Sequence, residues 1–343
     1  MYRADSSQTV SNKVWVLAHD SQHELAAEIA ESANGQEPNE RKTRQIEHKQ
    51  MLVQWGKFAD GFPNLFINDV KEMAGKDVIL VASFHSVEVI FEQLSMIYAL
   101  PRYLVRSLTI IMPYFPTGTM ERIDEEGQIA TAKSLASMLS NTPMTAGGPP
   151  QLMIFDIHAL QERFYFNRSV IPRLETAIPL IVREISRLLE AEWAGEQVAI
   201  AFPDDGAEKR FGRYFLPAWP CIVCTKQRDG NIRRIRIREG DPTGKRVVIV
   251  DDLVQTGGTL IEATKVLLDH GAKSVCAYVT HAVFPKASWR QFTDISNTKI
   301  DQFWITDSIP HAREIAKTAP FKLLRLAPII AEVLLGFDLR DSE

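Results

Sequence analysis

Short runs of Val, Ile, Leu and Phe recur along this chain, separated by stretches with helical spacing of their apolar residues. The first series has candidate strands at residues 13–18, 77–84, 107–115 and 151–158, with helical stretches at 23–33, 87–104 and 130–141. A second series has strands at 198–205, 221–226, 246–252, 274–281 and 301–307, with helices at 178–193, 207–215 and 259–270. Strands that are apolar on both faces belong to parallel sheets covered on both sides. Strand–helix alternation then requires right-handed crossovers, which gives an α/β class with doubly wound sheets. A chain of 343 residues accommodates two such domains. The expected boundaries are 12–170 and 171–319, with the seam near 168–179, where Pro172 and Pro179 interrupt the pattern. The Gly/Pro-rich residues 143–150 read as a loop. An apolar helix at 328–335, within a C-terminal segment 320–343, is expected to pack back on the first domain.

Composition removes several classes of function. A net charge of −4 provides no global field for nucleic acid, and interleaved aromatic platforms are lacking, so any anion site must be local. No apolar run reaches the ~18 residues of a membrane span. The first twenty residues show neither a signal core nor an Arg-rich amphipathic pattern, so a cytoplasmic location is expected. Cys221 and Cys224 form a C-x-x-C, but they sit in an apolar strand whose period of two sends them to opposite faces. They are expected to be core residues, since no second pair completes a metal set.

The most informative stretch runs from Arg246 to Leu260. An apolar strand ends in Asp251 and Asp252, and the chain then turns through Gln255, Thr256, Gly257, Gly258 and Thr259 into a helix. Glycines let successive backbone N–H groups converge on a phosphate, and the helix dipole and threonine hydroxyls add to the attraction. The carboxylates at the strand's C-terminal end can accept hydrogen bonds from two sugar hydroxyls, where α/β sheets place their ligands. The stretch lacks the Lys-Ser/Thr end of a Walker A loop. It resembles the phosphoribosyl diphosphate (PRPP) motif shared by type I phosphoribosyltransferases and ribose-phosphate pyrophosphokinases. That resemblance implies a phosphorylated ribose as ligand and leaves the reaction open.

Further motifs resemble the pyrophosphokinases in order along the chain. They are Phe58-Ala59-Asp60-Gly61, Pro113-Tyr114-Phe115, Thr131-Ala132-Lys133, Asp156-Ile157-His158, Pro203-Asp204-Asp205-Gly206, Lys226-Gln227-Arg228, Tyr278-Val279-Thr280-His281 and Thr306-Asp307-Ser308. The likeness extends from about Trp55 to Leu335 and is nearest to the plant-type, phosphate-independent branch, as in Pro116-Thr117-Gly118-Thr119. It implies two tandem type I phosphoribosyltransferase-like domains and a homo-oligomer. It also implies Mg²⁺ as cofactor, with transfer of diphosphate from ATP or another nucleoside triphosphate to ribose 5-phosphate. By the same resemblance, Lys226 and Arg228 stabilise the transferring group from a strongly basic loop running to Arg238. Phe58, Asp60, Arg122 and His158 face the nucleotide, and His158 and Asp204 hold magnesium. The site is then expected between the domains, with His158 arriving from the first. On residue type alone, the basic run reads as a solvated hairpin and His158 as a strand-end residue.

The chain departs from the better-known members at Thr119-Met120, where they carry the Arg-Gln pair that grips ATP. A hydroxyl cannot replace a planar guanidinium, so the resemblance to the plant-type branch implies broader donor use and activity without inorganic phosphate. Phe62 replaces an acidic residue of the early motif, and Gln255 stands where most relatives have Asp. Two rival readings are a non-catalytic regulatory relative and a phosphoribosyltransferase with an added domain. The first conflicts with retention of Lys226, Arg228, His158 and Asp204, and the second with the motifs of the first domain.

Overall fold

The computed structural model describes residues 13–35, 44–229, 232–336 and 338–339, without the side chains of 226–229, 232–234, 295 and 297. The chain forms two compact units. The first comprises the described residues of Met1–Ile154, Ala159–Leu174 and Ala327–Glu343, and the second comprises Phe155–His158 and Glu175–Leu326. Both are α/β with mainly parallel sheets, as the alternation of short apolar strands and helices requires.

The strands of the first series are β1 (Lys13–Ala18), β2 (Gln45–His48), β3 (Val53–Lys57), β4 (Pro63–Ile67), β5 (Asp77–Val81), β6 (Ser107–Met112), β7 (Gln151–Phe155) and β8 (Ile171–Glu175). Six of them form a sheet in the order β2-β1-β5-β6-β7-β8, while β3 and β4 form a separate antiparallel hairpin. Helices α1 (His23–Asn34), α2 (Val87–Ala99) and α3 (Thr131–Ser140) accompany them. Residues 168–179, whose prolines interrupt the sequence pattern, contain β8. An edge strand tolerates the missing N–H of Pro172.

The second series supplies α4 (Ile178–Leu189), β9 (Val198–Phe202), α5 (Asp205–Phe215), β10 (Cys221–Asp229), β11 (Ile232–Glu239), β12 (Arg246–Val254), α6 (Gly258–Asp269), β13 (Ser274–Ala282), α7 (Ile295–Thr298), β14 (Ile300–Thr306), α8 (Ala312–Ile315) and β15 (Phe321–Leu324). The sheet order is β11-β10-β9-β12-β13-β14-β15. All neighbours are parallel except β10 and β11, which form an antiparallel hairpin with Lys226 opposite Ile235. The basic stretch, a loop by the family resemblance and a hairpin by residue type, is largely two paired strands. Its charges alternate with Ile235 and Ile237, a strand period that the run of arginines masks in the sequence.

The two faces of this sheet carry separate cores. Val247 and Ile249 lie in one, Val248 and Val250 in the other. Cys224 joins the first, and Cys221 packs against the second. All three cysteines are free thiols, and burial pushes Cys224 up to about 11 and Cys276 up to about 12. The C-x-x-C therefore serves packing rather than redox chemistry.

The final helix, α9 (Ala327–Gly336), belongs to the first unit. Beyond it the Arg44 N–H donates to Leu339 O, and Asp338 accepts from Thr109 Oγ1 and Arg173 Nη1. Nearby, buried Asp77 opens β5 and accepts from Arg44, Arg106 and the Ser107 hydroxyl. Burial alone would raise the Asp77 pKa, but these donors together bring it down to about 2. Because that lies below the unfolded value, the stabilisation is full above the unfolded pKa and is lost as pH falls through about 2. The stability gap between wild type and Asp77→Asn should therefore narrow by about 2 kcal/mol between about pH 5 and about pH 2 in urea unfolding. A gap independent of pH would refute this assignment.

Candidate active site

The C-terminal ends of β9, β12, β13 and β14 carry the polar residues of the second unit. β9 and β12 are neighbours, so Asp204, which follows β9, lies beside the Asp251–Asp252 pair at the end of β12. Asp204 caps α5 by accepting the Ala207 N–H at 3.1 Å. The three carboxylates repel one another, and they are unequal. Burial first, then the charges of Asp252 and Asp204, push Asp251 well above the ordinary carboxylate range. For Asp252 burial acts in the same upward direction, but the hydrogen bond from His158 and the charge of Arg210 outweigh it and hold its pKa far down. Asp251 thus tends to the neutral form and Asp252 stays ionised.

Beyond Asp252, the chain reaches Gly257 at φ +83°, a left-handed conformation, and enters α6 at Gly258. A Cβ at Gly257 would overlap the ring of buried Phe292, so this residue must be glycine on two counts. Gln255, Thr256 and Gly258 are exposed and Thr259 is half-buried, which leaves the loop's outer surface open. The loop is tied from behind. Ser288 Oγ donates to Gln255 O at 2.8 Å, and Gln291 Nε2 donates to Thr256 O. A helix N-terminus reached through such a turn is suited to an anion.

His158 donates from Nδ1 to Asp252 Oδ2 at 2.7 Å, bridging 94 positions of sequence. The segment that carries it is rigidly held. Asp156 has φ +38°, a strained conformation for a non-glycine residue that costs about 1–3 kcal/mol. Its carboxylate accepts from Thr176 Oγ1 (2.6 Å), Thr280 Oγ1 (2.6 Å) and the Ala177 N–H (3.0 Å). Burial pushes the His281 pKa down. Its ring donates from Nε2 to Phe155 O at 3.2 Å, and Nδ1 lies 3.0 Å from Ser308 Oγ, whose hydroxyl donates to Thr280 O at 2.9 Å. Asp307, equally buried, accepts from Arg313 and from the Leu326 N–H. The motifs Tyr278–His281 and Thr306–Ser308 therefore build the inner frame that fixes the 155–158 segment.

His158 and the turn from Asp252 to Thr259 thus fall in one unit, because Phe155–His158 group with the second series. Phe58, Asp60 and Arg122 belong to the first unit. Phe58 and Asp60 sit in the turn between β3 and β4, where Phe58 is 56% exposed and Asp60 Oδ1 accepts the Phe62 N–H. Arg122 pairs with Asp124 at 3.0 Å. Lys226 and Arg228 lie on β10 with their side chains outside the described residues. Among the described residues no group of three or more His, Cys, Asp or Glu is arranged to hold a metal ion. Sequence reasoning missed Arg210 and the 285–293 backing of the loop. Arg210 lies just past the Pro203–Gly206 motif, on a helix whose periodicity signals only amphipathicity.

Known proteins resemble this chain along most of its length. Residues 14–142 match the family described as the N-terminal domain of ribose phosphate pyrophosphokinase, and residues 219–312 match the phosphoribosyl transferase domain. Over 286 residues the chain is 53% identical to ribose-phosphate pyrophosphokinase 4 of Arabidopsis thaliana, covering 82% of this chain and 83% of the relative. The chain belongs to the ribose-phosphate pyrophosphokinases. It is also 51% identical to ribose-phosphate pyrophosphokinase 4 of Oryza sativa subsp. japonica, across 82% of this chain and 87% of that one. In fold it is similar to the phosphoribosylpyrophosphate synthetase from Mycobacterium smegmatis, with a TM-score of 0.76 at 21% identity, covering 94% of this chain and 97% of the other. The pyrophosphokinase N-terminal match removes the reading of a phosphoribosyltransferase with an unrelated added domain.

Proposed function

We propose that this pyrophosphokinase transfers the β,γ-diphosphate of ATP or another nucleoside triphosphate to the C1 hydroxyl of ribose 5-phosphate, giving PRPP and a nucleoside monophosphate. The observation that carries the reading is β12 bearing the adjacent carboxylates Asp251 and Asp252 near its C-terminal end and leading into an open, glycine-turned helix N-terminus. In this reading Asp251 and Asp252 receive the ribose hydroxyls, and Gln255–Thr259 hold the 5-phosphate. The C1 oxygen bonds to the β-phosphorus. The bond from that phosphorus to the bridging oxygen breaks, its electron pair leaves with the nucleotide, and the hydroxyl proton is released. Charge builds on phosphate oxygens, so positioned cations do most of the work. Lys226 and Arg228, carried on the β10–β11 hairpin, take that role. Phe58, Asp60 and Arg122 contact the nucleotide.

His158 and Asp204 are the residues that would hold Mg²⁺. The fit rests on the donor chemistry. Carboxylates crowd there, with Asp252 and Asp204 adding to burial in pushing the Asp251 pKa up, and a sparse protein set suits an ion that keeps water and phosphate ligands. Bound magnesium would screen the phosphate oxygens against each other. A homo-oligomer is supported by the exposed Phe62 and Phe66 of the hairpin and Val87 and Phe91 of α2. Among the described residues no helix is long and apolar enough to cross a membrane. Free thiols support a reducing compartment such as the cytoplasm, and similar plant chains are named chloroplastic and mitochondrial.

The test is incubation with ribose 5-phosphate, Mg²⁺ and β-labelled ATP, without inorganic phosphate. AMP and labelled PRPP are expected, and GTP, CTP and UTP are expected to serve as donors because Thr119-Met120 lacks the Arg-Gln grip. Absence of any nucleoside monophosphate, with ribose 5-phosphate still bound, would overturn the enzymatic reading in favour of a regulatory relative. Turnover that appears only on adding phosphate would sink phosphate independence.

A further inference from the structure

We infer that Arg210, on α5, is a positioning residue that joins the His158 segment to the ribose-binding carboxylate Asp252, an inference that rests on the roles proposed for those two residues. One guanidinium makes three contacts from one side of the segment. Nη1 donates to His158 O at 2.8 Å and lies 3.3 Å from Asp252 Oδ2, and Nη2 donates to Asp156 O at 3.1 Å. The side chain is 13% exposed, and its Cζ lies 4.5 Å from the centroid of the buried Phe211 ring, so its position is set by packing as well as by charge.

The arrangement closes a ring. Asp252 accepts from the His158 side chain, the His158 backbone accepts from Arg210, and Arg210 pairs with Asp252. The ring fixes where the imidazole sits relative to the carboxylate, which is the relation a shared nucleotide–ribose centre needs. Arg210 also holds the carbonyl of Asp156, whose left-handed backbone persists only if its surroundings over-determine it. Because α5 starts at the Asp204 cap, the same helix ties three chemistry-bearing positions, Asp204, His158 and Asp252, to one rigid body. A lysine could pair with Asp252, but a compact ammonium cannot reproduce this planar set of donors.

The experiment uses the full chain with Arg210→Gln and Arg210→Lys, each alone and combined with His158→Ala. Arg210→Gln should lower kcat by about 30-fold and raise the Mg²⁺ concentration for half-maximal rate, since a small misplacement of reacting groups is costly. Arg210→Lys should recover part of that loss. In the His158→Ala background the cost of Arg210→Gln should fall to about threefold or less, because residues that act through one another are not additive. Independently of turnover, the imidazole ¹⁵N signals of His158, assigned by their loss in His158→Ala, should shift or broaden in Arg210→Gln. A purely structural arginine would lower the melting temperature but leave kcat of the folded protein within about twofold, give equal losses in both backgrounds, and leave the ring signals unmoved. That pattern would overturn the inference. A wild-type chain without activity would instead sink the proposed function, and the ring signals would still decide the role of Arg210.

Discussion

Asp252→Asn is expected to reduce kcat/KM for ribose 5-phosphate by about 1,000-fold, at the strong end of losses seen when one charge-stabilising group is removed. Asp252 is 3% exposed, ionised, and engaged by both His158 and Arg210. The amide keeps the shape and removes the charge. One of its ends presents N–H groups where His158 and Arg210 also present N–H groups, so the ring turns and the site loses its acceptor for a sugar hydroxyl. The folded state should also lose about 3 kcal/mol, the scale for breaking a buried ion pair on one side. Asp251→Asn provides the comparison. Its carboxyl is already driven toward the neutral form by burial, Asp252 and Asp204, so an amide there should leave stability unchanged or raised at neutral pH. The sign follows from linkage. A carboxyl whose folded pKa is raised contributes stability at low pH, and the contribution is lost as pH rises through that value. Steady-state kinetics, ribose 5-phosphate calorimetry and thermal melts separate these effects. Equal behaviour of the two variants would contradict the division of roles between the carboxylates.

Gly257→Ala should weaken ribose 5-phosphate binding about 100-fold, the scale for roughly an ångström of misplacement. It should destabilise the fold by about 2–4 kcal/mol, combining a left-handed backbone with overpacking. The added Cβ would fall 2.5 Å from Phe292 Cε2, and that ring cannot retreat. Phe292 is fully buried, with ring centroids of Phe303 at 5.1 Å, Phe284 at 5.7 Å and Phe321 at 6.1 Å. The loop must therefore move, carrying its N–H groups off the phosphate. Gly258→Ala is the control. Nothing lies within 4 Å of where its methyl group would stand and its φ is not in the left-handed range, so the effect on stability should stay below about 1 kcal/mol. A normal ribose 5-phosphate affinity in Gly257→Ala would show that this turn does not set the loop's N–H groups.

Some of this protein can be read from local sequence because the causes are local. Val247–Val250 is apolar on every residue, which demands cover on both faces, and the two cores on either side of β12 meet that demand. The turn from Asp252 through Gly257 to α6 is likewise written in adjacent residues, since carboxylates, glycine and helix start follow one another. Period-two spacing separated Cys221 from Cys224 without any knowledge of partners. The hairpin of β10 and β11 is legible in the residue types of the basic run, but its register emerges only from the pairing.

The sequence by itself determined the α/β class and the family, and it pointed to the loop proposed for the phosphorylated ribose, because apolar period, turn chemistry and motif order all reside in contiguous residues. Only the tertiary structure decided that Phe155–His158 group with the second series, that the pKa values of Asp251 and Asp252 are pushed in opposite directions, and that Arg210 joins Asp252 to the His158 segment. Those outcomes depend on contacts across tens of positions, such as the 94 between His158 and Asp252 or the 124 between Asp156 and Thr280. The electrostatics of a buried carboxylate depend on what surrounds it in space, and neighbours in the chain do not specify that environment.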